Sequence, residues 1–267
     1  MKKKWVYNIL IIIFALLFLG SMGRLVSYFL SAHKTSSDLD ELAAIKEESA
    51  KNDFRRSDKT SKELADFINL KKMNGDIAGW VEIKNTKINY PIMQTPEDEQ
   101  YYLHRNFKKE DDVNGLPFLS KDSDFSDEKS NLMIYGHHMK SGLMFAHLLD
   151  YKDKKFWQKH PVIQITSLTD KMEFEVVSAF YSQIRKEKEE GFRFYRFSGH
   201  LSEKEFDEYI EQSRKISLYN TDIIPSYGEQ LITLVTCSYH TEEGRFVVVA
   251  RKKQTMTEKE ASEEGKE

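Results

Sequence analysis

Hydrophobic residues along the chain follow three rhythms. The first is a solid block. Lys2, Lys3 and Lys4 precede an uncharged run from Trp5 to Gly23, rich in Ile, Leu and Phe, which Arg24 interrupts. Nineteen helical residues rise about 28 Å, close to the roughly 30 Å of a bilayer's hydrocarbon. A cleaved signal peptide is the alternative, but its apolar core is usually shorter and no convincing Ala-x-Ala site follows. The pattern therefore predicts an uncleaved transmembrane signal anchor within residues 1–30. Three lysines before the run, against Arg24 and Lys34 after it, favour a cytoplasmic N-terminus. The remaining domain is then expected outside the cell membrane.

The second rhythm, over 31–75, is polar with helical spacing. Ser37 and Asp40 have the spacing of a capping box before Leu39, Leu42, Ala43 and Ile45. A second helix is expected from Thr60 or Ser61, with Leu64, Phe67 and Ile68 on one face and Gly75 just past its end. Together these read as a stalk with one or two helices packed on the main domain, joined by a solvated linker at Lys51–Lys62.

From Gly79 the rhythm becomes strand-like and defines a domain over 76–253. Eight short apolar segments are separated by turn-rich loops: Trp80–Ile83, Ile88–Gln94, Leu116–Leu119, Leu132–Tyr135, Val162–Leu168, Phe174–Ser182, Leu231–Cys237 and Phe246–Arg251. Eight strands suit one closed or nearly closed β-barrel, which leaves no exposed edge. Two helical insertions are expected. One is Leu143–Lys159; the other is Ser202–Lys215, with Ser202 and Glu205 as a capping box and Phe206, Tyr209 and Ile210 as its apolar stripe. The tail, 254–267, is charged, poor in apolar residues and expected to be disordered.

Composition narrows the function. At 40% hydrophobic and 12% aromatic, the chain can bury a real core. Its 40 Lys+Arg against 43 Asp+Glu lack the basic excess of a nucleic-acid binder. The single cysteine, Cys237, excludes an internal disulfide and every multi-cysteine metal site. No cofactor is called for. A lone thiol outside the membrane needs explaining, since oxidising compartments select for paired cysteines or none. The plain alternative is a buried, inert thiol.

Three places carry candidate chemistry. Tyr135-Gly136-His137-His138-Met139 follows an apolar strand, Thr233-Leu234-Val235-Thr236-Cys237 ends another, and Arg245 opens a third. If the last two strands pair about Thr241, Cys237 faces Arg245, with Cβ atoms about 4.5–5.5 Å apart. A guanidinium there favours the thiolate and can hold an oxyanion; alternatively Arg245 makes a rim salt bridge with Glu242 or Glu243. A cysteine nucleophile also needs a proton carrier, for which imidazole is suited. Of the eight histidines, His137 and His138 sit where a strand delivers side chains to a rim. His240 faces away from the thiol unless its loop bends back, and His104 reads as packed or surface. His33, His147, His160 and His200 fall in the stalk or beside the helical insertions. One thiol and two adjacent imidazoles make a poor metal-chelating set.

These residues resemble the sortases, membrane-anchored cysteine transpeptidases of Gram-positive bacteria, and look most like class B. The signature Thr-Leu-x-Thr-Cys is complete at Thr233–Cys237, the His after Gly matches His137, and the Arg opening the last long strand matches Arg245. The resemblance spans about Gly79 to Arg251, including Trp80 and Asn89-Tyr90-Pro91. The helices before the barrel, the insertion before the Cys-bearing strand and His138 after His137 are similar to class B. The resemblance implies a mostly β, eight-stranded sortase-type barrel with N-terminal helices, preceded by one transmembrane helix. It implies catalytic His137, Cys237 and Arg245, with Tyr135 and Thr236 as substrate-binding residues. The implied partners are surface proteins with a C-terminal sorting motif and an amine of the peptidoglycan cross-bridge or its lipid-linked precursor. Two other readings are a cysteine hydrolase with the same triad and a non-catalytic barrel that binds wall peptides or a partner protein.

Overall fold

The computed structural model describes residues 2–53 and 64–253. Helix α1 runs unbroken from Lys2 to Asp53, and α2 covers Ala65–Met73. The strands β1 (Ile77–Glu82), β2 (Asn89–Met93), β3 (Phe118–Leu119) and β4 (Ser130–Gly136) follow. A 3₁₀ turn, Tyr101–His104, lies between β2 and β3, and another, Phe145–Lys152, precedes α3 (Lys154–Lys159). Then come β5 (Val162–Ser167), β6 (Lys171–Gln183), a 3₁₀ turn at Phe194–Arg196 and β7 (Gly199–His200). Helix α4 (Glu203–Lys215), β8 (Leu231–Cys237) and β9 (Gly244–Lys252) complete the order.

The sheet order is β3-β2-β1-β5-β6-β9-β8-β4, and a further β3–β4 pairing closes it into an eight-stranded barrel. All eight expected strands are present. The ninth, β7, has two residues and pairs with Ser130 and Asn131 of β4; it is too short to leave a periodic signal. Alternation along the strands fills the interior with Leu132, Ile134, Leu234, Phe246 and Val248. A second apolar cluster joins Met133, Val235, Val247 and Val249 to Phe206, Tyr209 and Ile210 of α4.

The expected α4 is found with its capping box: the Ser202 hydroxyl accepts from Glu205 N–H, and the Glu205 carboxylate accepts from Ser202 N–H. Two expectations are corrected. No helix starts at Ser37–Asp40. With neither Gly nor Pro between Arg24 and Asp53, nothing interrupts α1, and a capping box has meaning only where the first residue is extended. The Leu143–Lys159 insertion is not one helix: Asp153, in extended backbone, caps α3 by accepting from Lys155 N–H and separates it from the 3₁₀ turn. Tyr101–His104 and Phe194–Arg196 also form turns that apolar spacing did not mark. The expected helix start at Thr60 or Ser61, most of the Lys51–Lys62 linker and the 254–267 tail lie outside the described residues.

The second half of α1 is packed on the barrel. Leu39 and Leu42 join the main core. The Thr35 hydroxyl lies 2.7 Å from Asp112 Oδ2, and the Lys46 ammonium sits 5.0 Å from the centre of the Trp80 ring. The first half exposes its large apolar side chains from Trp5 to Leu30 and is long and apolar enough to cross a membrane.

Candidate active site

Register and strand alternation assemble the site. β4 and β8 run parallel, with Tyr135 level with Val235 and Gly136 with Thr236. One step further, His137 and Cys237 leave their strands side by side. β8 and β9 are antiparallel and set Cys237 opposite Arg245, as the symmetric loop predicted. Tyr135 and His137, Val235 and Cys237, and Arg245 and Val247 share one face by period-two alternation. Cys237 is therefore central, with His137 on one flank and Arg245 on the other.

Close backbone approach explains two glycines here. A Cβ on Gly136 would lie 2.6 Å from the Phe145 ring, and one on Gly244 would lie 2.2 Å from the Ser238 carbonyl oxygen. Neither gap admits a side chain. Between the three strand ends opens a cleft of about 500 Å³, lined by His137, Cys237, Arg245, Tyr135 and Thr236. All five residues singled out in the sequence meet there.

His137 is held firmly. Its Nε2 lies 2.7 Å from the Leu103 carbonyl oxygen; a carbonyl only accepts, so Nε2 carries the hydrogen and Nδ1 is left as the base. The ring stacks on His104, centroids 5.5 Å apart. Burial pushes the His137 pKa below the usual imidazole value, a charge on His104 pushes the same way, and the Leu103 carbonyl opposes both. His138 is bonded elsewhere, its Nδ1 3.2 Å from the Cys237 carbonyl oxygen.

Both geometric expectations for Arg245 are met. It faces Cys237, and its Nη2 also lies 3.2 Å from Glu243 Oε2 while Nη1 donates to the Gly244 carbonyl. With its side chain 22% exposed, the guanidinium is fixed from behind and keeps an open side. Thr236 is 1% exposed, and its Oγ1 has no hydrogen-bond partner among the described residues. Tyr135 forms wall: its ring stacks on Phe118 and its hydroxyl donates to Met133 Sδ at 2.9 Å. Burial, with the nearby Glu99 charge, raises its pKa. Thr233 is structural, bonded to the Tyr209 hydroxyl at 2.6 Å and to Asn131 Oδ1 at 2.8 Å.

Sequence reading missed the Leu103 carbonyl, which no side chain announces, and the stack of His104 on His137. It also missed the carboxylates of Glu99 and Asp122 in the cleft wall. Four of the other histidines have engagements elsewhere. His147 pairs with Asp150 and His200 with Asp127, while His160 meets the Lys84 carbonyl. His240 lies against Ser238 and the Tyr181 ring. A thiol with an imidazole of fixed tautomer on one side and a guanidinium on the other can attack a carbonyl, hold the resulting oxyanion and move the leaving group's proton.

The chain is similar to known proteins in sequence and fold. A family model described as a sortase domain matches residues 81–253. Sortase B of Listeria monocytogenes is 34% identical over 184 residues, which take in 67% of this chain and 70% of that protein. The crystal structure of sortase B from Bacillus anthracis in complex with AAEK1 superposes with a TM-score of 0.71 at 30% identity, covering 85% of this chain and 100% of that one. A Staphylococcus aureus sortase B–substrate complex superposes with a TM-score of 0.73 at 23% identity, covering 85% and 99% of the two chains, and bears on the fold alone.

Proposed function

The chain belongs to the sortase family, class B, and from that premise we propose that it is a membrane-anchored cysteine transpeptidase whose thiol is Cys237. The observation that carries this reading is the alignment of His137, Cys237 and Arg245 on one face across β4, β8 and β9.

Cys237 passes its thiol proton to His137 Nδ1, and its Sγ attacks the carbonyl carbon of a threonine in the C-terminal sorting motif of a surface protein. The carbonyl π bond opens to an oxyanion, which the open side of the Arg245 guanidinium stabilises; Thr236, next to the thiol in the chain and in the cleft wall, is the second candidate for this role. The C–N bond then breaks. The leaving amine takes a proton from His137 Nδ1, which leaves a thioester on Cys237. An amine from a peptidoglycan cross-bridge or its lipid-linked precursor attacks that thioester and gives its proton to His137. Cys237 departs as the thiolate and takes that proton back from His137 Nδ1. Throughout, the Leu103 carbonyl holds the imidazole and supports its charged form, the role a carboxylate has in other triads. Tyr135 and Phe118 form an apolar wall for the peptide. The first half of α1 supplies the anchor, with the N-terminal lysines in the cytoplasm and the barrel outside.

The test uses the full chain in detergent with sorting-motif peptides, followed by intact mass spectrometry with and without triglycine. A thioester adduct that triglycine converts to ligated peptide is expected, and Cys237→Ala should form none while staying folded. Product released only as free acid would make the protein a hydrolase. A folded protein that forms no adduct and whose thiol resists alkylation would make it a binding module.

A further inference from the structure

With the first half of α1 as the anchor, the unbroken helix also sets how far the barrel stands from the membrane. Tyr28 is five residues past Gly23, the end of the apolar run, and five helical residues rise about 8 Å. The headgroup layer adds roughly 5–8 Å on each side of the hydrocarbon. At this level the Tyr28 hydroxyl accepts from Ser141 N–H, 3.1 Å away, in the loop that leaves His137 and His138. The turn between β1 and β2 reaches the same place: a Cβ on Gly142 would lie 3.9 Å from Lys87 Nζ, and Phe29, His33, Lys87 and Ser141 line one cavity.

The charges at this height are mostly basic, with Asp150, paired with His147 beside Gly142, as the exception. From Arg24 to Ser37, α1 carries Arg24, His33 and Lys34 and no acid; its first acid is Asp38, about 22 Å beyond Gly23. Lys84 and Lys87 on the turn and Lys140 on the loop are exposed, and none is in a described ion pair. The one acid in the shared cavity, Asp40, lies further along α1, away from the apolar run. We propose that the β1–β2 turn and the 138–143 loop form a docking surface for the anionic headgroups of the outer leaflet, which holds the His137 end of the cleft at the bilayer. Juxtamembrane lysines are attracted to anionic lipid within about a Debye length. The inference rests on α1 spanning the membrane as proposed above.

The test reconstitutes full-length Cys237→Ser into nanodiscs containing a headgroup nickel chelate. A spin label is placed at Lys140→Cys or, on α2 beside the far end of α1, at Lys72→Cys. Nickel is expected to relax the label at 140 strongly and the label at 72 little. The effect at 140 should be larger in discs with phosphatidylglycerol than with phosphatidylcholine alone, and should shrink in Lys84→Gln/Lys87→Gln. Equal relaxation at 140 and 72 in a chain retained by the discs would overturn the docking surface and leave the anchor standing. Indifference to lipid charge would overturn the role of the lysines. A chain that the discs do not retain would overturn the anchor and this inference together.

Discussion

His137 and Arg245 each have a consequence that kinetics can read. Burial and the stacked His104 lower the His137 pKa, so the imidazole is neutral at pH 7. The acid limb of kcat/KM is therefore expected below the ordinary imidazole value of about 6.5, and His104→Phe, which keeps a ring but removes its charge, should move that limb upward. A limb unchanged by His104→Phe would leave the stack a packing contact. The same shift bears on stability. The unfolded chain binds the proton more readily, so stability held by neutral His137 is complete above about 6.5 and is lost as pH falls through the lower folded value. For Arg245, loss of the guanidinium in Arg245→Ala should cut turnover on the order of 10²-fold or more, measured on the peptide that acylates fastest. Near-normal turnover would reduce Arg245 to its ion pair with Glu243.

Among the elements, the β4–β8 pairing is the one on which the site depends. It brings His137 to Cys237 across 100 positions of sequence, and a buried network secures it. Asn131 donates to the Phe197 carbonyl at 2.7 Å and accepts from Thr233, which is bonded in turn to Tyr209. In Asn131→Ala the Phe197 carbonyl loses its partner, a buried polar defect of about 1–3 kcal/mol. Thermal unfolding should show a Tm several degrees lower, with alkylation of Cys237 little changed in the folded enzyme. By contrast, the β8–β9 hairpin is local. Its register could be read from the symmetry of its loop, whereas nothing in the sequence says that β4 lies beside β8 and parallel to it.

On the scale of the whole molecule, α1 is both the proposed anchor and part of the folded domain. Leu42 belongs to the main core while Leu16 is fully outside it. In nanodiscs Leu42→Ala should destabilise the barrel by about 2–5 kcal/mol, whereas Leu16→Ala should leave its Tm unchanged. Equal responses would mean that the second half of α1 is not bound to the barrel. Residue order alone was enough for the long apolar run, the eight strands, the capped α4 and the facing of Cys237 and Arg245, because each is a short-range pattern of burial or hairpin geometry. The glycine and the strand before them singled out the pair His137 and His138, and the sortase resemblance chose His137 between them. Tertiary structure decided the rest. Closure through β3 and β4, the parallel neighbour that brings His137 to the thiol, the Leu103 carbonyl that sets its tautomer and the docking of α1 on the barrel all join distant segments. Such contacts depend on how whole faces pack and on backbone atoms that every residue shares, so no local run of side chains encodes them.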